Sequence, residues 1–201
     1  MTRSYHSPRR AQDAAGTRRD ILHAATELFS ANGYARVTVA EIAKRAGVAP
    51  QTVYSSAGSK AEILREVVSE SIARSGSASA TDAIRETDGV AAAITLLARG
   101  TRLCNENEQQ VVEVLFAAIP AHEDGAALWE HSTGSYRQAL RDVAEHLRDK
   151  GLLEIDVERA TDVLWFCFGF GAWRTLVKEC GWSWDDAERW LAEQATRMLA
   201  K

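Results

Sequence analysis

The sequence is poor in residues that interrupt helices or cross-link chains, since its 201 residues include three prolines and three cysteines. Few prolines leave long stretches in which a helix can continue, and the apolar residues recur at helical spacing, which predicts an all-α protein. Cys104, Cys167 and Cys180 are odd in number and lack metal-type spacing. They are therefore predicted to be buried, free thiols. The less favoured alternative is a redox sensor, which needs an exposed thiol with a lowered pKa.

The chain also lacks a long apolar run. Its longest uncharged apolar stretch, residues 163–173, falls short of the roughly 20 residues that span a bilayer. No apolar segment follows the N-terminal arginines, so no secretory signal is expected. The sequence therefore predicts a cytoplasmic protein without a membrane partner.

No arrangement of residues typical of an enzyme is present, because the Cys, His and Asp residues are scattered and form no nucleophile–base pair. His122, Glu123 and His131 lie close together in the sequence, but their spacing fits no established metal-ligand pattern. We therefore expect no enzymatic activity, no cofactor and no metal site.

Charge is distributed unevenly along the chain. The first 60 residues carry nine basic and four acidic side chains, a net charge of +5. The remaining residues carry 15 basic and 24 acidic side chains, a net charge of −9, and the whole chain has −4. A basic segment ahead of an acidic one is the asymmetry expected when one end of a protein contacts phosphates.

Capping boxes delimit short helices in the N-terminal third. Residues 1–16 are polar and aperiodic, which predicts a disordered tail. A first helix is predicted to begin at the Thr17–Asp20 box and to end at Asn32–Gly33. Further boxes at Thr38–Glu41 and Ser59–Glu62 start two more helices. Three boxes in such a short stretch indicate a compact set of short helices.

The segment between these last two boxes has the pattern of a helix, a turn and a helix. Gly47 ends one helix, and Pro50 suits the first position of the next, which is predicted to run to about Tyr54. Two short helices joined in this way set the second helix into the major groove of DNA. We therefore predict that residues 17–62 form a three-helix helix-turn-helix DNA-binding domain.

Residues 63–201 are predicted to form a second, helical domain for ligand binding and dimerisation. A small, polar stretch at residues 75–81 separates its connecting helix from the rest. The remaining predicted helices are residues 88–104, 106–119, 124–149, 157–180 and 184–200. The penultimate helix is apolar around most of its girth, so it must be buried on several sides or covered by a partner chain.

Residues 17–64 resemble the DNA-binding domain of the TetR (tetracycline-repressor-like) transcriptional regulators. The resemblance is carried by Ile21–Phe29, Asn32–Tyr34, Thr38–Val48, Thr52–Tyr54, Lys60 and Leu64. The stretch Asp156–Leu199 also looks like one common variety of that family's second domain. Two departures stand out: the family usually has serine where this chain has Ala49, and commonly His-Phe where it has Ser56–Ala57.

This resemblance implies a sequence-specific DNA-binding transcriptional regulator. It further implies a repressor that acts as a homodimer on a palindromic operator in double-stranded DNA and is released by a small-molecule effector. The alternative is a helical ligand-binding protein with a degenerate, non-specific DNA-binding head. The departures at Ala49 and Ala57 keep this alternative open, whereas the basic N-terminal segment argues against it.

The position of each residue in the helix-turn-helix predicts its role on DNA. N-terminal residues of a recognition helix face base edges, so Gln51 is expected to pair with adenine, and Pro50 or Thr52 to contact a thymine methyl group. Phosphate contacts are expected from side chains near the groove walls. These side chains are Thr38, Lys44, Arg45, Tyr54, Ser56 and Lys60.

In the TetR family the last two helices of two subunits pair into a four-helix bundle, and a small molecule enters the second domain. The resemblance therefore implies a dimer interface at Trp165, Phe168, Trp173, Leu176, Trp190 and Leu191. It implies a ligand pocket at Leu97, Phe116, Ile119, Trp129, Tyr136 and Trp165. The alternative for both sets is that these side chains fill the core of a single chain.

Overall fold

The structure, a computed structural model, describes residues 8–74, 82–121 and 125–200, and every regular element within these ranges is helical. The predicted all-α class is therefore confirmed. Contacts divide the chain into two compact units. We call them the N-terminal unit, Met1–Glu70 with Gln110–Trp129, and the body, Ser71–Gln109 with Glu130–Lys201.

Short helices packed around a common core build the first part of the N-terminal unit. They are α1 (Pro8–Asn32), a 3₁₀ turn (Tyr34–Arg36), α2 (Val39–Ala46), α3 (Pro50–Ala57) and α4 (Lys60–Arg74). Helix α1 packs against α2 and α3, and α2 packs against α3. Ile21, Ile42 and Val53 are fully buried in these helices. The apolar spacing that predicted the helices thus also places one face of each in the core.

The start of α1 differs from the prediction. The helix begins at Pro8, so residues 8–16 are helical where a disordered tail was predicted, and residues 1–7 lie outside the described part. Thr17 is not a cap, because its hydroxyl donates to the Asp13 carbonyl one turn earlier at 3.0 Å. A threonine inside a helix commonly bonds back in this way, which is why the Thr17–Asp20 pattern predicted the wrong boundary.

The other two capping boxes form as predicted. At the start of α2 the Thr38 hydroxyl accepts from the Glu41 N–H at 3.3 Å, and the Glu41 carboxylate accepts from the Thr38 N–H at 2.8 Å. Ser59 and Glu62 exchange the same pair of bonds at 3.3 and 2.8 Å. Each box satisfies backbone donors that a helix start otherwise leaves unpaired.

Helices also make up the remainder of the described chain. They are a helical turn at 82–85, α5 (Val90–Asn107), α6 (Gln109–Ala118), a 3₁₀ turn (Ile119–Ala121), α7 (Gly125–Asp149), α8 (Val157–Phe168), α9 (Phe170–Trp173), a π-helix (Arg174–Glu179) and α10 (Trp184–Leu199). In the body, α10 packs against α5 and α8, and Ile94, Leu164 and Leu191 belong to one buried cluster. The break predicted at residues 75–81 lies outside the described residues.

The helix predicted over residues 157–180 is interrupted at Gly169. The ψ angle of Gly169 is 160°, which takes the backbone out of the helix between α8 and α9. A Cβ at this position would lie 2.6 Å from the Trp165 carbonyl oxygen and 3.1 Å from the Trp165 ring. Only glycine therefore fits here, for a reason of close packing that periodicity in the sequence cannot show.

The described residues contain no helix that is long and apolar enough to cross a membrane. Over the same ranges no group of three or more His, Cys, Asp and Glu side chains could hold a metal ion. His122 and Glu123 lie outside these ranges, and His131 is exposed. Of the thiols predicted to be buried, Cys167 is buried and has its pKa raised to about 11 by burial, whereas Cys180 is exposed.

Candidate nucleic-acid interface

Helix α3 is held so that its first turn faces solvent. Gly47 adopts the left-handed conformation (φ 69°) after α2, and the chain turns into α3, which starts at Pro50. Val53 and Ala57 are buried, whereas Gln51 is exposed. One face of α3 thus lies in the core, and the face that carries Gln51 is open to a partner.

The side chains predicted to meet bases lie on or beside this open face. Pro50 and Gln51 are exposed, and Thr52 is half-buried. Tyr54 is 54% exposed, so its ring is not a core aromatic and its hydroxyl can reach a groove wall. Ser56 is half-buried near the C-terminal end of α3.

Thr38 takes part in the helix cap, which limits what it can offer a phosphate. Its hydroxyl lies 2.8 Å from a Glu41 carboxylate oxygen in addition to accepting from the Glu41 N–H. Hydrogen bonds from the Thr38 side chain and backbone hold the pKa of the Glu41 carboxyl below its usual value. An anion at this helix start therefore competes with a carboxylate that is already there.

The two basic residues of α2 differ in whether their side chains are held by a contact with another helix. Lys44 and Arg45 are both exposed. The Arg45 guanidinium bonds to the Glu27 carboxylate of α1 at 2.9 Å, and this contact lowers the pKa of Glu27. Arg45 is thus tied to α1, whereas Lys44 extends from the exposed face of α2.

Lys60 lies against the turn that joins α1 to α2. Its ammonium donates to the carbonyls of Tyr34 at 3.1 Å and Val37 at 2.9 Å, and lies 4.4 Å from the centre of the Tyr34 ring. Two of its three protons are used in these bonds, so one remains for a phosphate. The sequence predicted the contact with DNA but not this internal role.

Arg18 is a residue whose role the sequence did not reveal. Its guanidinium, on α1, binds both carboxylate oxygens of Glu66 on α4, one of them at 2.6 Å, and also the Ser56 carbonyl of α3. Arg18 therefore joins three helices around the end of α3. No local pattern announces the contact, because 48 residues separate Arg18 from Glu66.

The residues predicted to form the dimer interface divide into two groups. Phe168, Trp173 and Leu191 are buried in the core of the body within a single chain. Trp165 and Leu176 are half-buried, and Trp190 is 41% exposed. The apolar girth of the predicted helix is explained by burial on several sides within one chain.

The surface of α8 and α10 carries two large apolar side chains that the predicted interface did not include. Phe166 of α8 is 74% exposed and Met198 of α10 is 43% exposed. Both lie on the two helices that also carry Trp165 and Trp190. Their exposure could not be read from the sequence, because Phe166 stands among core aromatics of the same helix.

The predicted pocket residues fall into two aromatic groups, one in each unit. Phe116 and Trp129 meet edge to face in the N-terminal unit, with ring centres 5.5 Å apart, and Ile119 is half-buried there. Tyr136 and Trp165 meet in the same way in the body at 5.7 Å, and Leu97 is buried there.

Two surface grooves of the body lie elsewhere. One, of about 490 Å³, contains Arg102 and Ala192, and the other, of about 480 Å³, contains Trp182 and Trp190. None of the six predicted pocket residues lines either groove.

The helix-turn-helix geometry agrees with a comparison of sequences. Residues 21–67 match the family described as bacterial regulatory proteins, tetR family. This segment of the chain belongs to the tetR family. The matched tetR-family segment contains α2 and α3 with the turn between them, which places it among non-enzymatic DNA-binding regulators. No curated protein sequence matches the chain.

Solved structures share the fold over nearly the whole length. A putative TetR-family transcriptional regulator from Mesorhizobium loti is 20% identical, with 94% of this chain and 98% of that chain covered and a TM-score of 0.73. The regulator FadR from Bacillus subtilis, in complex with stearoyl-CoA, is 18% identical over 88% of this chain and 96% of that one, with a TM-score of 0.73. The superantigen PfiT is 25% identical over 92% and 96%, with a TM-score of 0.69.

The tetR-family domain of this chain replaces two family features with its own contacts. Ala49 supplies no side-chain acceptor to the start of α3, although its carbonyl accepts from the Thr52 and Val53 N–H groups at 2.9 and 3.3 Å. At the other end of α3, Ala57 is buried where an aromatic residue is common, and the Arg18 contact holds the neighbouring Ser56 carbonyl.

Proposed function

We propose that the protein is a repressor that binds a palindromic operator as a homodimer and is released by a small molecule. The observation that carries this proposal is the exposed first turn of α3, fixed by buried Val53 and Ala57 in a tetR-family domain. A rigid helix with an open N-terminal face is what major-groove readout requires.

The side chains at the start of α3 contact the bases of the operator in this proposal. Gln51 pairs with adenine through its amide, and Pro50 and Thr52 contact a thymine methyl group. Phosphates are bound by donors around α3 that fix the register without reading sequence. These donors are Thr38, Lys44, Arg45, Tyr54, Ser56 and Lys60.

A homodimer is supported by the large apolar side chains on the surface of α8 and α10. Phe166 is 74% exposed, and Trp190 and Met198 are each more than 40% exposed. Such side chains on two neighbouring helices favour an interface. Half-buried Trp165 and Leu176 remain within the proposed interface, whereas Phe168, Trp173 and Leu191 support it from the core. In such a dimer the two helix-turn-helix domains bind two half-sites of the operator. The half-sites are separated by one or more helical turns of DNA, each ~34–36 Å.

Release by a small molecule is supported by the aromatic groups, and by the stearoyl-CoA bound to a regulator of the same fold. The proposed pocket residues are Leu97, Phe116, Ile119, Trp129, Tyr136 and Trp165. A ligand that prefers the released conformation by about 1.4 kcal/mol shifts the equilibrium tenfold. Burial in the core is the competing role for each of these side chains.

Selection from a randomised duplex pool by the purified protein at near-physiological salt tests the proposal. We expect one inverted repeat to be enriched, and the Gln51→Ala variant to lose about 1–3 kcal/mol of discrimination at one position of each half-site. The matched control is Gln110→Ala, which makes the same change at an exposed position of α6. Enrichment of no sequence, or an equal effect of both variants, would contradict the proposal.

A second candidate is a helical ligand-binding protein with a degenerate head. It is favoured by the missing side-chain cap at Ala49 and by the superantigen that shares this fold. This candidate predicts binding that weakens steeply with salt and enriches no sequence, because only phosphate contacts remain. The selection experiment therefore separates the two candidates directly.

A further inference from the structure

Two exposed tryptophan rings meet near a right angle at the start of α10. Trp182 lies in the connection that precedes the helix and is 37% exposed, and Trp190, in the second turn of α10, is 41% exposed. Their ring centres are 5.8 Å apart, and the angle between the ring planes is 79°. We call Trp182 and Trp190 the aromatic corner, because each ring leaves part of its face open to solvent.

The connection that carries Trp182 is held on both sides of the ring. The Trp182 N–H donates to the Leu176 carbonyl at 3.0 Å, after Gly181 has turned the chain in the left-handed conformation (φ 73°). The next residue, Ser183, caps α10 by accepting from the Asp186 N–H at 3.1 Å. The aromatic corner is therefore preorganised, so a ligand does not have to order it on binding.

Acidic side chains stand beside the two rings. The aromatic corner lines the groove of about 480 Å³ together with Asp186, Arg189 and Glu193, which gives the lining a net charge of −1. The Ser183 hydroxyl donates to Asp186 at 2.6 Å, and this bond and the Arg189 guanidinium hold the pKa of Asp186 below its usual value. The groove thus pairs aromatic faces with negative charge.

The bonds already made in the groove limit the kind of cation that fits. Asp186 accepts from Ser183 and Arg189, and Glu193 accepts from Arg197 at 2.5 Å. An ammonium or guanidinium group brings several N–H donors that each need an acceptor. A quaternary ammonium group has none, and aromatic faces attract it through the charge distribution of the ring.

We propose that the aromatic corner binds a quaternary ammonium group, with its methyl groups against the faces of Trp182 and Trp190 and its charge balanced by Glu193. The ligand class is a small, choline-like cation. This site lies on the surface of the body and includes none of the six residues of the proposed effector pocket. The inference does not depend on DNA binding or on release by an effector.

A matched pair of probes tests the need for positive charge. Choline and 3,3-dimethylbutan-1-ol have the same shape and hydroxyl group, but the second has a neutral carbon in place of the nitrogen. Titration of the full-length protein at constant ionic strength, followed by tryptophan fluorescence and by saturation transfer to the methyl protons, should show about tenfold tighter binding of choline. Equal affinities, or no binding of either probe, would overturn the proposal.

Two substitutions at one position test the aromatic face. Trp182→Phe keeps a ring and should keep a preference for choline, whereas Trp182→Leu keeps only apolar bulk and should lose it. Trp182 is exposed and precedes the helix, so both variants should fold. If the two variants distinguish the probes equally, the ring face does not bind the cation and the proposal is wrong.

A second pair of variants tests the carboxylate. Glu193→Gln should reduce the preference for choline about threefold, as expected for a partly exposed charge pair. The control is Glu145→Gln on α7, because Glu145 also pairs with an arginine four residues away, Arg141, at 3.0 Å. It should leave the preference unchanged. Equal reductions would mean that the overall charge of the body attracts choline, which would contradict a site in the groove.

The last comparison separates this site from the proposed function. Trp190 also belongs to the proposed dimer interface, so wild type is compared with Phe166→Glu, which places a charge on that interface. Both proteins should show the same preference. A preference confined to Phe166→Glu would mean that the second subunit fills the aromatic corner, and would overturn the proposal.

The selection of DNA sequences gives an independent result. A protein that enriches no operator but prefers choline would refute the proposed function and leave this site standing. A protein that enriches an inverted repeat but does not distinguish the probes would do the reverse.

Discussion

Polar side chains at helix ends bond to nearby backbone in both units, but among the described residues of the body several polar atoms are also buried without a partner. Thr38 and Ser59 complete two capping boxes in the first unit. Among the described residues of the body, Asn105 Oδ1, His146 Nε2 and Trp173 Nε1 are buried and unpaired. The difference between the two units therefore lies in these buried, unpaired atoms and not in how the helices are capped.

The backbone shows the same contrast. From Pro8 to Glu70 the first unit consists of uninterrupted helices joined by short turns. The body contains the break at Gly169 and the π-helix Arg174–Glu179, and π-helical turns are frequent at functional sites. A scaffold that presents α3 needs rigidity, and a unit that responds to a ligand needs an element with two arrangements.

The largest expected effect comes from removing the break in the body. Gly169→Ala sets a methyl group against the Trp165 carbonyl and should lower the free energy of unfolding by about 1–3 kcal/mol. The control, Gly171→Ala, meets no atom within 4 Å and should be neutral or stabilising by up to about 1 kcal/mol. Urea unfolding of both variants measures the difference, and equal effects would show that the break is not required by packing.

A smaller effect is expected from the three-helix contact of the first unit. Arg18→Ala should lower the free energy of unfolding by about 1 kcal/mol, since the ion pair with Glu66 is partly exposed. Because Arg18 also holds the Ser56 carbonyl of α3, operator affinity should fall as well. Arg19→Ala, an exposed change on the same helix, should leave both quantities unchanged in urea unfolding and gel-shift titrations. If Arg18→Ala and Arg19→Ala lose the same stability and operator affinity, the loss comes from removing a positive charge and not from breaking the contact between the three helices.

The smallest effect should depend on pH. Bonds from the Thr38 side chain and backbone lower the pKa of Glu41 in the folded protein. The cap therefore stabilises the fold above the ordinary pKa of 4.5 and loses this contribution as pH falls through the lowered folded value. In urea unfolding, Thr38→Ala should have a lower free energy of unfolding than wild type at pH 7. This difference should become smaller towards pH 3.

Thr95→Ala provides the reference for this pH dependence. Thr95 is an exposed threonine inside α5, bonded to the Ala91 carbonyl at 2.8 Å rather than to a carboxylate. The difference in unfolding free energy between Thr95→Ala and wild type should therefore not vary with pH. If the difference in unfolding free energy between Thr38→Ala and wild type is the same at pH 7 and pH 3, the bonds from Thr38 do not lower the pKa of Glu41.

Local patterns predicted local structure well. The boxes at Thr38 and Ser59, the turn at Gly47 and the first position of Pro50 join residues within a few positions of each other, so the sequence displays them. The Thr17–Asp20 box has a similar pattern, with Asp in place of Glu, but it lies inside the longer helix α1. Four residues alone do not distinguish the start of a helix from its interior.

Contacts between distant residues could not be predicted in this way. The pairing of Arg18 with Glu66, the bonds of Lys60 to the Tyr34 and Val37 carbonyls, and the fit of Gly169 against Trp165 all depend on how helices pack. The same holds for Phe168 and Trp173, whose aromatic character suggested an interface but whose position is in the core. The proposed base and phosphate contacts remain predictions.

The N-terminal unit is discontinuous in sequence, because it joins Met1–Glu70 to Gln110–Trp129. The ribosome delivers these two segments at different times, with 39 residues of the body between them. When Glu70 emerges, the unit still lacks its second segment, so its full set of contacts forms only after Trp129 has been synthesised. Helix α3 is thus made before the segment that completes the unit containing it.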